Sequence, residues 1–308
     1  MSERERLSAK DVLSGTTKFP NDDAERRLAR LVGLDDHIAS LVRDLVLIYD
    51  PEIANGWSNK HYGKEIPALA LLREAVPLII FAGDVGTGKT ELAEVIGQRV
   101  AAERGYGVHL FKMSTRVRGT GYVGEMGTLL ADSFAHAVSL WKKFGEPILL
   151  VIDEADSLLT SRESTQHHHE DKSGVNTILQ HLDDLRSAPA QVAVIAITNR
   201  IGVLDPAALR RATSVLTFRR PSAEQRADLF SRLFDGVGLG EPDLKRLVDA
   251  SQERTIDGGA EPIAFSYSDL TLRFAIPALR SAIHAGVPLT ADSLVAALKE
   301  LEPTRPIR

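Results

Sequence analysis

Gly83, Gly86, Gly88, Lys89 and Thr90 stand at the spacing G-x-x-x-x-G-K-T in GDVGTGKT, residues 83–90, and these residue types together suit phosphate. The glycines let the backbone turn sharply and approach closely, so successive N–H groups converge on anionic oxygens. Lys89 adds a point positive charge and Thr90 offers a hydroxyl to magnesium. Asp84, Val85 and Thr87 fill the remaining positions, and Glu91 lies in the first turn of the helix that follows, whose positive dipole end faces the anion. Further along, LLVIDEAD (149–156) closes an apolar run with Asp153, Glu154 and Asp156. Asp153 suits magnesium, directly or through water, and Glu154 suits the orientation and deprotonation of an attacking water. Asn199 ends QVAVIAITN (191–199) and is a candidate to position that water. Glycine turns, solvated acids at strand ends and turn asparagines each occur without chemistry. Their coincidence in one chain points to nucleotide hydrolysis.

These groups need strands that end together and helices that start beside them. Apolar runs at 77–82, 106–113, 147–152, 191–199 and 214–218 read as strands, alternating with helical segments. That alternation predicts an α/β fold: a five-stranded parallel sheet with helices on both faces. Leu130, Phe134, Val138 and Trp141 make the stripe of a core-packing helix. Residues 24–50 read as two helices parted near Gly33, and 51–66 as a loop before a short helix. Beyond Pro221 the pattern is helical only, over 222–235, 243–250, 266–284 and 290–300. The division predicted is an N-terminal arm over 1–23, turn-rich or partly disordered, an ATPase domain over 24–220 and a small helical domain over 221–308.

A net charge of −5 speaks against a nucleic-acid backbone as main partner. The lack of cysteine excludes disulfides and thiol catalysis, and suits the cytoplasm. The charged start MSERERLSAK has no apolar core for a signal peptide, and no apolar run approaches the ~18 residues needed to cross a bilayer. His167, His168 and His169 are adjacent and do not converge on a tetrahedral metal site, so they read as part of a polar loop over 160–172.

Taken together these stretches resemble the AAA+ ATPases: GDVGTGKT their Walker A, LLVIDEAD their Walker B, AITN (196–199) their first sensor, and LDPAALRRA (204–212) their arginine-finger segment. The resemblance implies an αβα domain with a helical lid, ATP and Mg2+ as cofactors, and a ring, usually a hexamer, with ATP between subunits. It implies that Arg211, or second to it Arg210, reaches the neighbour's γ-phosphate; a surface ion pair is the alternative. The family's second sensor has no clear counterpart. The matching place reads Ser266-Tyr267-Ser268-Asp269, and Arg273 is the nearest candidate. Asp84-Val85 stands where two prolines are common, which predicts slightly weaker attraction for phosphate.

Tyr122-Val123-Gly124 in GTGYVGEMG occupies the place of the pore loop of the remodelling branch, where an aromatic ring grips an extended peptide by apolar contact. Within that branch, DLVLIYDPEI, SYSDLTLRFAIPAL and the short carboxyl end resemble the pachytene-checkpoint and thyroid-receptor-interactor type of HORMA-domain remodellers, in the compact bacterial form from antiphage signalling systems. This implies a HORMA-domain protein as substrate. The alternatives are a DNA-acting ATPase of the helicase-loader or clamp-loader kind and an unfoldase feeding a protease.

Overall fold

A computed structural model describes residues 13–113, 125–160, 169–187, 191–256 and 261–307. The chain divides into two compact units. One holds His37–Ala82 and Thr90–Thr217 with the described residues before 30; the other holds Arg30–Asp36, Gly83–Lys89 and the chain from Phe218 onward. The helical unit thus takes in the loop Gly83–Lys89 and Arg30–Asp36 as well as the chain from Phe218.

The first unit is built on a six-stranded sheet in the order β1-β3-β4-β5-β2-β6. The strands are β1 Leu13–Phe19, β2 Val76–Gly83, β3 Val108–Met113, β4 Ile148–Ile152, β5 Val192–Thr198 and β6 Ala212–Phe218. β3, β4, β5 and β2 pair in parallel. Every residue of β4 and β5 is buried, and all of β2 up to Gly83, which is why these strands read as unbroken apolar runs. β6 alternates half-buried with exposed residues, as an edge strand with one covered face does.

Three stretches differ from what the sequence predicts; one is 169–172, expected in a polar loop, which opens the helix His169–Ser187. Leu13–Phe19, expected in an arm, is a strand antiparallel to β3 and adds a sixth to the expected five. It is polar because it is an edge; what anchors it is Phe19, fully buried. A Cβ on Gly97 would lie 2.3 Å from the Phe19 ring, which accounts for a glycine inside a helix where alanine is intrinsically better by ~1 kcal/mol. Residues 51–66 are not a loop: Glu52–Tyr62 is a helix, with Pro51 at its start and left-handed Gly63 closing it by donating its N–H to the Asn59 carbonyl at 3.0 Å. The proline and glycine mark the ends of an element rather than its absence.

In chain order the helices of this unit are α1 Asp22–Ala29, α2 Asp35–Tyr49, α3 Glu52–Tyr62, α4 Leu69–Arg73, α5 Lys89–Arg104, α6 Glu125–Phe144, α7 His169–Ser187 and α8 Pro206–Arg211. On α6, Leu130 and Phe134 are buried, and Val138 and Trp141 pack against the same core. Ile178, Leu182 and Leu185 of α7 join it, with Leu150, Ile152, Val194 and Ala196 from the sheet. A cavity of about 770 Å³ opens at the amino-terminal ends of the strands, lined by Tyr49, Pro77, Trp141, Gln191 and Thr213 among others. It lies at the opposite end of the sheet from Asp153 and Asn199. Among the described residues no helix is long and apolar enough to cross a membrane.

The second unit packs α9 Ala223–Leu233, α10 Glu241–Ala250, a π-helical turn Asp269–Ala275 that continues as α11 Ile276–Ala285, and α12 Ala291–Glu300. Its core joins Val32 to Phe230, Phe265, Phe274, Leu247 and Leu294. Phe274 sets its ring edge-on to Phe230 and Phe234. Asp269 is wholly buried here. Its carboxylate accepts hydrogen bonds from the Ser266 N–H (2.9 Å) and hydroxyl (2.9 Å), the Thr304 N–H (3.2 Å) and hydroxyl (2.5 Å), and Arg273 (2.7 Å). Burial alone would raise its pKa, but the bonds from Thr304, Ser266 and Arg273 outweigh burial and hold it below the usual aspartate value. A depressed folded pKa stabilises above the unfolded value, about 3.9, and that contribution is lost as pH falls through the folded pKa. Asp269→Asn is therefore expected to lower the melting temperature at pH 7 and to flatten its decline below pH ~4. An acid limb as steep as in the unmodified chain would assign it to other carboxylates.

Candidate active site

The loop Gly83–Lys89 is shaped by its glycines. Gly83, Gly86 and Gly88 all have positive φ, at 150°, 74° and 94°. A Cβ on Gly83 would lie 2.2 Å from the Phe218 carbonyl oxygen, and one on Gly86 would lie 2.7 Å from both Ser266 Oγ and Ser268 Cβ. The Ser268 N–H donates to the Gly86 carbonyl at 3.1 Å, so the loop rests just ahead of the π-helical turn Asp269–Ala275, where the sequence leads one to expect the second sensor. Thr87 is buried and its hydroxyl donates to the Asp84 carbonyl at 2.7 Å. Lys89 is only 5% exposed, and its ammonium donates to the carbonyls of Gly83 (2.9 Å) and Asp84 (2.6 Å). A buried ammonium bonded to its own loop's carbonyls, in a loop turned by three glycines of positive φ, fits a phosphate chain. Val85 sits between, its N–H donating to Asp84 Oδ1 at 2.7 Å.

In the sheet unit, the parallel register sets Ala82 opposite Thr198 and Ile152 opposite Ala196. Asp153, Glu154 and Asn199 therefore leave the carboxyl ends of neighbouring strands, where open α/β sheets bind ligands. The Thr90 hydroxyl donates to Asp153 Oδ2 at 3.1 Å, joining the two residues expected at magnesium. Asp153 Oδ1 accepts the Glu154 N–H at 2.9 Å. Glu154 is exposed and left-handed, with φ 51° and ψ 43°, the one non-glycine residue with positive φ among those described. Such a conformation costs of order 1–3 kcal/mol and concentrates at functional sites. Thr198 donates to Asp156 Oδ1 at 3.1 Å and accepts the Arg200 N–H, leaving half-buried Asn199 at the strand end. Magnesium in phosphate sites takes one or two carboxylates plus phosphate and water, and Thr90 with Asp153 fits that set. Among the described residues no group of three or more His, Asp or Glu is arranged for a metal.

Glu91 is held by Arg27, whose Nε and Nη2 reach its two carboxylate oxygens at 2.7 and 2.8 Å. Arg27 also reaches Glu94, which bonds Lys112 in turn. Burial pushes the Glu94 carboxyl up, but the bonds from Lys112 and Arg27 hold it below its ordinary value. This network fixes α5 against α1 and β3, and no motif in the sequence announces it.

The arginine segment starts at Asp205, which caps α8 by accepting the Ala207 N–H at 2.7 Å ahead of Pro206. Arg210 is exposed. Arg211 is about one-third exposed and paired with Asp183 of α7: Nε lies 3.2 and 3.3 Å from the two carboxylate oxygens, and Nη2 lies 3.1 Å from Oδ2. Arg273 donates to buried Asp269, the Glu302 carbonyl (3.0 Å) and Thr304 Oγ1 (2.9 Å), so within the helical unit its guanidinium braces the carboxyl-terminal segment. Tyr122, Val123 and Gly124 lie outside the described residues, as do His167 and His168; His169 begins α7.

The AAA family, ATPases associated with various cellular activities, is matched over residues 79–220, from β2 through the arginine segment to the end of β6. The chain belongs to this family of ATPases. At the level of single proteins it is similar to CD-NTase-associated protein 6 of Escherichia coli strain MS 115-1: 37% identity over 306 residues, covering 97% of this chain and 96% of the relative. A chain of the solved E. coli MS115-1 HORMA:CdnC:Trip13 complex superposes with a TM-score of 0.90 at 36% identity, covering 99% of this chain and 100% of that one. Rhizobiales Trip13 gives 0.74 at 31% identity, covering 96% and 100%.

Proposed function

We propose that this chain is a cytoplasmic remodeller that forms a ring, a hexamer in the family's usual manner, and uses ATP hydrolysis to pull on a HORMA-domain protein and open its closed, peptide-bound state in antiphage signalling. The observation that carries the reading is the end-to-end likeness to a chain of the HORMA:CdnC:Trip13 complex, which leaves no more than 1% of either chain unmatched. In this reading Gly83–Lys89 binds the phosphates, with Gly83, Asp84, Val85, Gly86, Thr87 and Gly88 contributing backbone and Lys89 its charge. Thr90 and Asp153 would hold Mg2+, which when bound would supply charge neutralisation to the phosphates. Glu154 takes the proton of the attacking water, and Asn199 fixes that water's position. Arg211 serves the neighbouring subunit's nucleotide.

Partner capture tests the substrate. Glu154→Gln protein with ATP, used as bait, is expected to retain a small HORMA-domain protein identified by mass spectrometry; retention of DNA or of a protease instead would replace this reading with one of its alternatives. The grip is tested separately at Tyr122. Tyr122→Ala keeps every residue assigned to hydrolysis, so basal ATP turnover is expected to stay within about threefold while peptide release from the HORMA partner falls at least about tenfold. Release at the unmodified rate would remove Tyr122 from the gripping role, and lost turnover in an intact ring would make the loop structural.

A further inference from the structure

An acid within a phosphate-binding loop opposes the anion it is built to hold, and Asp84 is such an acid. Its carboxylate is answered by Arg220, the residue before Pro221. Arg220 Nε donates to Asp84 Oδ2 at 2.8 Å and Nη2 closes on the same oxygen. The other donors of this guanidinium reach the carbonyls of Ala264 and Thr304, the latter at 2.7 Å. Both side chains are largely withdrawn from water, 11% exposed for Arg220 and 19% for Asp84. The second oxygen of Asp84 accepts the N–H of Val85 at 2.7 Å and that of Ile307, more distantly, at 3.4 Å. The carboxyl-terminal segment is thereby tied to the loop at two points, and Asp269 and Arg273 fix the same segment through Thr304 and Glu302.

We propose that Arg220 is a positioning residue for nucleotide binding: it cancels the charge of Asp84 and clamps the phosphate loop to the carboxyl-terminal segment in its phosphate-accepting shape. The proposal rests on the reading that Gly83–Lys89 holds the phosphates of ATP. Its logic is electrostatic and compensatory. Without Arg220 a buried carboxylate is left unpaired beside the anion; without Asp84 a buried cation is left there instead, which favours the anion.

The test is equilibrium binding of a fluorescent, slowly hydrolysed ATP analogue with magnesium, read beside the melting temperature of the nucleotide-free protein. Arg220→Gln is expected to weaken binding by roughly 10–100-fold. Asp84→Asn alone is expected to bind at least as tightly as the unmodified chain, and Arg220→Gln with Asp84→Asn to return to within about threefold of it. A merely structural pair predicts the opposite for Asp84→Asn, weaker binding together with a lower melting temperature. That result, unchanged binding by Arg220→Gln, or a double variant as weak as Arg220→Gln, overturns the proposal. If Arg220→Gln does not fold, the direction of the Asp84→Asn change decides alone. Lys89→Ala is measured in the same titration. If the unmodified chain binds no better than Lys89→Ala, it is the phosphate-loop reading that fails; if it does bind better and the Arg220 and Asp84 variants do not respond as stated, only the clamp fails.

Discussion

Replacing Glu154 with glutamine is expected to leave ATP bound within about threefold of the unmodified affinity while turnover falls by about 10²–10⁴-fold, the range associated with a lost general base. Glutamine preserves size and hydrogen bonding but not basicity. The contact that holds the local backbone, the Glu154 N–H on Asp153 Oδ1, does not involve the side chain that is changed. The left-handed conformation of Glu154 is met equally by either residue, so the fold should be unaffected. Lys89→Ala supplies the contrast. Its ammonium sits on the phosphate loop in the ground state, so its loss should appear first as weakened binding. Phosphate release measured at saturating ATP, beside a binding titration, separates the two. Normal turnover by Glu154→Gln would remove Glu154 from the role of base.

What can be read in the sequence follows from where each residue sits in the sheet. β2, β4 and β5 are covered on both faces, so burial dictates apolar residues at every position and leaves unbroken runs. β1 is an edge held by one buried aromatic, Phe19, and LSGTTKF carries no periodic signal strong enough to mark it. Helix α3 is hidden for a different reason: its asparagines, glycine and flanking proline have loop-like composition, while the information lies in their positions along the element and at its ends. The chemistry proposed for Lys89, Thr90, Asp153 and Glu154 is legible because hydrolysis of a magnesium-bound phosphate would demand those types at that spacing. Their restraints are not, because partners such as Arg220 for Asp84 and Arg27 for Glu91 are distant in the chain and nothing local announces them. The one local hint is Asp84 itself. A carboxylate in a phosphate loop calls for a nearby cation, although the loop alone does not say that Arg220, 136 positions further on, supplies it.

Arg211→Ala is expected to bind ATP in each subunit at unmodified affinity and to lose about 10³-fold or more in turnover, the scale at which a trans-acting arginine contributes to phosphoryl transfer. The structure adds a restraint to this expectation. Arg211 is held by Asp183 through Nε and Nη2, while Nη1 lies 3.3 Å from the Ala207 carbonyl. An ion pair of this kind fixes the plane of a guanidinium without cancelling its directional donors. Asp183→Asn should then cost less than Arg211→Ala, through orientation rather than charge. Arg210 is exposed, and Arg210→Ala is the control: a larger loss there than at Arg211 would transfer the role to it. Mixed rings locate the action. An Arg211→Ala subunit retains Lys89, and a Lys89→Ala subunit retains Arg211, so each homogeneous ring is inactive but a mixed ring contains junctions where both intact residues meet. Recovery of phosphate release on mixing places the arginine's effect across the junction between subunits. Absence of recovery in rings whose mixing is verified by native mass spectrometry would confine Arg211 to its own subunit, where the pair with Asp183 would then be its whole role.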